Sequence, residues 1–246
     1  MMLRKLLPVL LMCGAHVFAD NLLPGGDFEA PAVSGRTLVA QGGDPTNGGR
    51  GPVWIAFEFA PAAAGTNGAI TAGLTNEVAH GGKQSLFIDF DHVKTPGQSA
   101  TLTSNFIPVV SGSEYQLLVW GRTDKKDLIT ADGRPAYMKP EVDFFAADAN
   151  TSVGTPFYTV LPIPGISGRD PFFVPDKWNR FSATVAVPRG SVFAQIVWRW
   201  QTEGNEPGEI NGIMYFDDLS LVGAPNANPN LTPVPVKMPA VSTGSQ

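Results

Sequence analysis

Glycine and proline punctuate this chain so often that no long helix fits between them. The 246 residues include 27 glycines and 22 prolines, a usage that favours turns and short strands over helices. Between the turns, apolar and polar residues alternate with a period of two, and no stretch carries the spacing of an amphipathic helix. Strands are expected at Pro52–Phe59, Ala69–Val78, Gln84–Phe90, Ser99–Val110, Glu114–Thr123, Pro140–Ala147, Asn179–Val187, Ser191–Thr202 and Gly212–Val222. A short strand at Asn21–Leu23 precedes them. Such spacing is that of a β-sandwich. Three connections read as loops: Pro31–Gly51, the polar stretch Asp124–Lys139, and Asp148–Asp176, which holds one irregular strand around Phe157–Leu161. Hydrophobic residues make up 43% of the chain, enough for a substantial core. With no internal repeat, residues 20–224 form one all-β domain.

The two ends read differently. Arg4 and Lys5 precede the apolar run Leu6–Met12, and Val17-Phe18-Ala19 offers a small-residue cleavage site. Residues 1–19 therefore read as a signal peptide, too short in its apolar run to span a bilayer. The expected location is secreted, extracellular or periplasmic. Cys13, the single cysteine, leaves with the leader, so the mature chain forms no internal disulfide. Stability must come from core burial, with a metal as an optional second source. Loss of Arg4 and Lys5 leaves 15 basic and 22 acidic side chains, a net charge of −7. That balance argues against nucleic acid. No second apolar segment is long enough to cross a membrane. Residues 225–246 turn to Asn, Pro, Ser and Thr and read as a disordered tail.

One strand contains a conflict. In Tyr215-Phe216-Asp217-Asp218-Leu219-Ser220-Leu221-Val222, parity puts Asp217 on the same face as Tyr215, Leu219 and Leu221. A carboxylate among core residues is strongly unfavourable unless a cation or several hydrogen-bond donors compensate it.

This strand is one of three motifs that together resemble a known family. The others are Asn21-Leu22-Leu23-x-x-Gly26-Asp27-Phe28-Glu29 and Gly81-Gly82-Lys83-Gln84-Ser85-Leu86. In this order they resemble the galactose-binding-like jelly-roll carbohydrate-binding modules, including the cellulose- and xylan-binding modules of extracellular glycanases. The resemblance implies a jelly-roll β-sandwich of two antiparallel sheets, with the first and last strands together and a structural calcium beside them. Calcium takes six to eight oxygen ligands from carboxylates and backbone carbonyls. Glu29 and Asp217 are the carboxylates at the matching positions, with backbone carbonyls near Asp27 and Lys83 completing the shell. The alternative is that Asp217 caps a turn and Glu29 is a solvated strand end.

The resemblance also implies a monomer that binds polysaccharide or oligosaccharide. Sugars present hydroxyls to polar side chains and flat C–H faces to aromatic rings. On Glu114–Thr123, one face holds Gln116, Leu118, Trp120 and Arg122; on Ser191–Thr202, one holds Gln195, Val197, Arg199 and Gln201 while Trp198 and Trp200 face the core. The expected groove is therefore Trp54, Trp120, Arg122, Arg199 and Gln201. No catalytic residue is assigned. Glu58, Asp89, Asp91, Glu141 and Asp143 are available acids, but no motif pairs two of them for glycoside hydrolysis. His80 and His92, the histidines left after processing, read as solvated loop residues, and no nucleophile or zinc motif accompanies them. A non-catalytic polysaccharide binder is thus expected. The alternatives are a glycan lyase or hydrolase on the same sandwich, or a structural or adhesive surface protein.

Overall fold

The computed structural model describes residues 21–39 apart from 24, together with 54–59, 69–95, 99–124, 130–131, 136–158, 161–162, 174, 176–202 and 208–223. The expected leader and tail lie outside the described residues. Among those described there is no helix, and so none long and apolar enough to cross a membrane.

The described residues form fourteen strands in two antiparallel sheets. The first sheet has the order β1 (Arg36–Val39), β3 (Ala69–Thr75), β4 (Ser85–Thr95), β14 (Gly208–Gly223), β7 (Glu114–Arg122), β12 (Asn179–Ala186), with β8 (Thr130–Ala131) against β14. The second has the order β10 (Phe157–Tyr158), β9 (Ala136–Phe145), β13 (Phe193–Thr202), β5 (Ser99–Ser104), β2 (Trp54–Phe59). Here β11 (Leu161–Pro162) joins β9, and β6 (Ile107–Pro108) joins β13. The chain passes repeatedly between the sheets, as from β4 to β5 and from β12 to β13 to β14. This is the jelly-roll sandwich expected from the sequence.

Alternation decides what faces inward. Leu86, Ile88 and Phe90 of the first sheet meet Val142, Ile196 and Trp198 of the second in one buried core. The residues between them face outward on both sheets. Trp198 is a core residue, as expected.

The first and last segments do come together. Leu22 N–H donates to the Leu221 carbonyl (2.9 Å), and Leu219 N–H donates to the Gly26 carbonyl (2.8 Å). The Asn21 side chain completes the join, accepting from Leu221 N–H at 3.0 Å. Gly26 is required here, because a Cβ would overlap the Leu219 carbonyl oxygen. Two residues on, Phe28 adopts φ +52° and is completely buried, a burial that contributes about 2–3 kcal/mol. Gln84, also buried, donates to the carbonyls of Phe28 and Pro31 (both 2.7 Å) and accepts from Val33 N–H (3.0 Å). The first two motifs are thus the two halves of one latch.

Several expected boundaries move. Arg36–Val39, expected within a loop, is an edge strand on which Leu38 is 63% exposed. It buries too little to leave an alternating pattern. Ala136–Lys139, expected in a connection, opens β9, so the strand runs through Pro140 instead of starting there. The parity expected for the last strand also fails. Register against β7 shifts between Asp217 and Ser220, and Asp218 sits at φ +49°. This is a β-bulge, which adds a residue and reverses parity beyond it. Leu219 and Leu221 therefore join the main core, while Tyr215 packs with Phe87 and Ile213 in a second cluster on the outer face.

Candidate functional site

The bulge resolves the conflict over Asp217, whose carboxylate lies on the outer face yet is fully buried beneath the turn 80–84. Oδ2 accepts the N–H groups of His80 (2.7 Å) and Gly81 (3.1 Å), and Oδ1 accepts that of Asp218 (2.8 Å). Glu29 grips the other end of the same turn. Its Oε1 accepts the N–H groups of Lys83 (2.8 Å) and Gln84 (3.1 Å). Gly82, at φ +57°, has no room for a Cβ because the Glu29 carboxylate fills that space. The two glycines of the motif let one turn present backbone donors to two acids.

Donors compensate Asp217 only in part. Burial, reinforced by the neighbouring negative charge of Asp218, pushes its carboxyl up to about 7 despite the three N–H groups. Among the described residues, no three His, Cys, Asp or Glu side chains converge as a metal cluster. A hard cation, however, also draws on backbone carbonyls. A carboxylate offers about four lone-pair positions; three are used on Asp217, and both amide bonds to Glu29 fall on one oxygen. Any cation at this joint would have to draw on the remaining carboxylate lone pairs, because the turn presents N–H donors to both acids.

Around this joint stands a cluster that the sequence did not reveal. The His80 ring stacks on Trp120 with centroids 3.9 Å apart and planes at 18°. Its edge meets Trp178 at 5.6 Å and 70°. Nδ1 lies 2.6 Å from Asp218 Oδ2; since a carboxylate accepts, Nδ1 carries the proton. Trp178 Nε1–H donates to the Ala79 carbonyl at 3.0 Å. His80, expected as a solvated turn residue, is wedged between two indoles. Only its place next to Gly81-Gly82 could have pointed to it.

The expected groove is not one surface. Trp120 and Arg122 lie on β7 of the first sheet, whereas Trp54, Arg199 and Gln201 belong to β2 and β13 of the second. The core separates them, so the five cannot line one groove. Trp120 is committed to His80, and Arg122 to Asp124, whose Oδ1 lies 2.7 Å from both Nε and Nη2. The side chains of Trp54 and Gln201 lie outside the described residues.

The outer face of the second sheet is different in kind. Thr101, Thr103, Glu141, Asp143, Gln195 and Arg199 are all half-buried, alternating with buried residues on the same strands. Register aligns them in rows across the sheet. One row runs Tyr158, Glu141, Val197, Thr103, Ala56; the next runs Lys139, Arg199, Thr101, Glu58. Asp143 pairs with Gln195 in a third. Five strands make this face roughly 19 Å wide at the usual strand spacing. Tyr158, 59% exposed, stands at its edge. Two small cavities touch Trp198, one between β7 and β12 that reaches Ser182 and one within the core, with volumes of about 50 and 10 Å³, far below the roughly 300–1,000 Å³ of enclosed small-molecule sites. A ligand of this face would lie along it.

No family model and no curated protein sequence matches the chain. Solved structures similar to the sandwich include the enzymatically active domain of tailspike protein 4 from bacteriophage CBA120, at 17% identity and a TM-score of 0.46, covering 83% of this chain and 21% of that one. A CBM4 carbohydrate-binding module is similar at 15% identity and 0.43, covering 82% of this chain and 99% of the module. A family 16 carbohydrate-binding module is similar at 19% and 0.38, covering 62% and 84%. The chain thus spans about a fifth of the tailspike domain's length. At such identities and TM-scores the likeness assigns neither ligand nor residue role to this chain.

Proposed function

We propose that this protein is a secreted, non-catalytic polysaccharide binder whose site is the outer face of the second sheet. The observation that carries the reading is the row structure of that face. Arg199 stands between Thr101 and Lys139, Val197 between Thr103 and Glu141, and Gln195 beside Asp143, with an exposed Tyr158 at the edge. Paired donors and acceptors suit sugar hydroxyls, and a ring beside them suits a C–H face. A row of polar side chains across several strands favours a polymer over a small molecule. From the expected groove, Arg199 is retained, with Gln201 two residues along β13; Trp54 pairs with the buried Ser104, and Trp120 and Arg122 are assigned to the other sheet. A calcium ion at Glu29 and Asp217, with the carbonyls of Asp27 and Lys83, would serve stability, not ligand binding.

A glycan array run with and without a chelator tests this reading. Binding to at least one polysaccharide is expected, lost or weakened in Arg199→Ala. An array without hits would refute it. Glu141 and Asp143 share the face, so reducing-end release should be measured alongside. Release that depends on either acid would favour a hydrolase instead.

A further inference from the structure

We infer that the polysaccharide runs lengthwise along β9 and β13, from an aromatic end at Phe106 and Phe145 to a charged end at Arg199. The inference rests on the binding reading above and adds to it a direction and a second recognition residue, Phe106.

The outer face of the second sheet is not polar throughout. Parity puts Phe193 on that face with Gln195, Val197 and Arg199, and Phe145 with Asp143 and Glu141. Phe193 is buried, yet not in the main core, which takes Ala194, Ile196 and Trp198 from the same strand. It pairs with Phe145 across the ladder. Phe106, between β5 and β6, leans on both. Its ring centroid lies 5.1 Å from that of Phe145, with the planes at 84°, and 6.1 Å from that of Phe193. Phe106 and Phe145 are each half-buried. In an edge-to-face pair the edge-on ring keeps both faces off its partner, and a ring face is what a sugar C–H face stacks on.

This aromatic end is held in place by its neighbours. Gln195 Nε2 donates to the Ser104 carbonyl at 2.9 Å. The buried Ser104 Oγ accepts from Ile196 N–H (2.8 Å) and donates to the Asn105 carbonyl (2.9 Å). Ile107 then rejoins the ladder opposite Ala194. Phe106 is thus tied to β13 on both sides, and a ring ordered before binding costs little entropy to use.

Phe193 and Arg199 are six residues apart on β13, about 20 Å at the usual strand rise. Between them lie the row of Asp143 and Gln195 and the row of Glu141 and Val197, the latter flanked by Tyr158 and Thr103. A path along the strands therefore meets a ring, then hydrogen-bonding groups, then a guanidinium. The path across the strands from Tyr158 ends at an alanine, Ala56. Only a lengthwise ligand touches both Phe106 and Arg199.

A glycan array carrying each oligosaccharide as a series from disaccharide to octasaccharide, probed with the full chain, tests this. Affinity is expected to rise with length until the oligomer reaches about 20 Å, then to level off. Phe106→Leu, which keeps an apolar side chain and removes the ring, should bind the longest members about fivefold more weakly or worse, as should Arg199→Ala. Wild-type affinity for the octasaccharides in Phe106→Leu, with loss in Arg199→Ala, would overturn the lengthwise path and leave the proposed face standing. The wild-type series needs no variant to fold: affinity already complete at the disaccharide would also overturn the path. A wild type that binds no member of any series would overturn the proposed function and this inference with it.

Discussion

Asp217 shows how a single side chain can set the conditions under which a fold is stable. Its carboxyl is raised in the folded protein to about 7, by burial first and by Asp218 second. The sign follows from linkage. A group with a raised folded-state value favours folding while protonated, so its contribution is complete below its unfolded value near 3.8 and is lost as pH rises through about 7. In chelator, the melting temperature is therefore expected to fall by several degrees between pH 4 and pH 7. Asp217→Asn should remove that fall, and saturating calcium should reduce it, because a nearby cation favours the ionised form. A flat wild-type profile in chelator would contradict this. At Gly26 the constraint is steric. A Cβ there meets the Leu219 carbonyl oxygen, a backbone atom that cannot rotate away. Gly26→Ala is expected to destabilise the protein by about 3 kcal/mol, measured by denaturant unfolding.

At the level of elements, the alternation that identifies β7, β12 and β13 was legible because each buries one face and exposes the other. Glu114–Arg122 reads almost residue by residue as in or out. Arg36–Val39 was not legible, since an exposed edge strand has no core face to encode. The bulge in β14 was hidden for another reason. Period-two reading assumes an unbroken ladder, and one extra residue at Asp217–Asp218 exchanges the faces of everything after it. The site suffered most from this kind of blindness. Alternation can say that Trp120 and Arg199 each face outward, but it does not say that they lie on opposite sheets. The motifs fared better, because their spacing records contacts. Gln84 ties the strand β4 to the N-terminal segment through three hydrogen bonds. Gln84→Ala would leave buried backbone groups unpaired, with an expected cost of about 2–4 kcal/mol in unfolding free energy.

The whole molecule divides its labour between its two outer faces. The first sheet is dressed by the 76–84 turn, Trp178 and Arg36, which cover Phe87 and Tyr215 and close the joint between the chain's first and last segments. The second sheet carries the half-buried polar side chains of Arg199, Glu141, Asp143 and Gln195 on its outer face. On the proposed function, structure and recognition are separated by the thickness of the core. A consequence is that changes on one face should leave the other's property intact: Trp120→Ala should lower the melting temperature by loosening the His80 stack, while leaving ligand affinity unchanged. The most direct test of the central claim compares the affinity of wild type, Arg199→Ala and Trp120→Ala for one bound polysaccharide by affinity electrophoresis. Loss of at least about tenfold in Arg199→Ala, with Trp120→Ala retaining wild-type affinity, is the predicted result. Undiminished binding in Arg199→Ala together with loss in a folded Trp120→Ala would place the site on the first sheet and contradict the account.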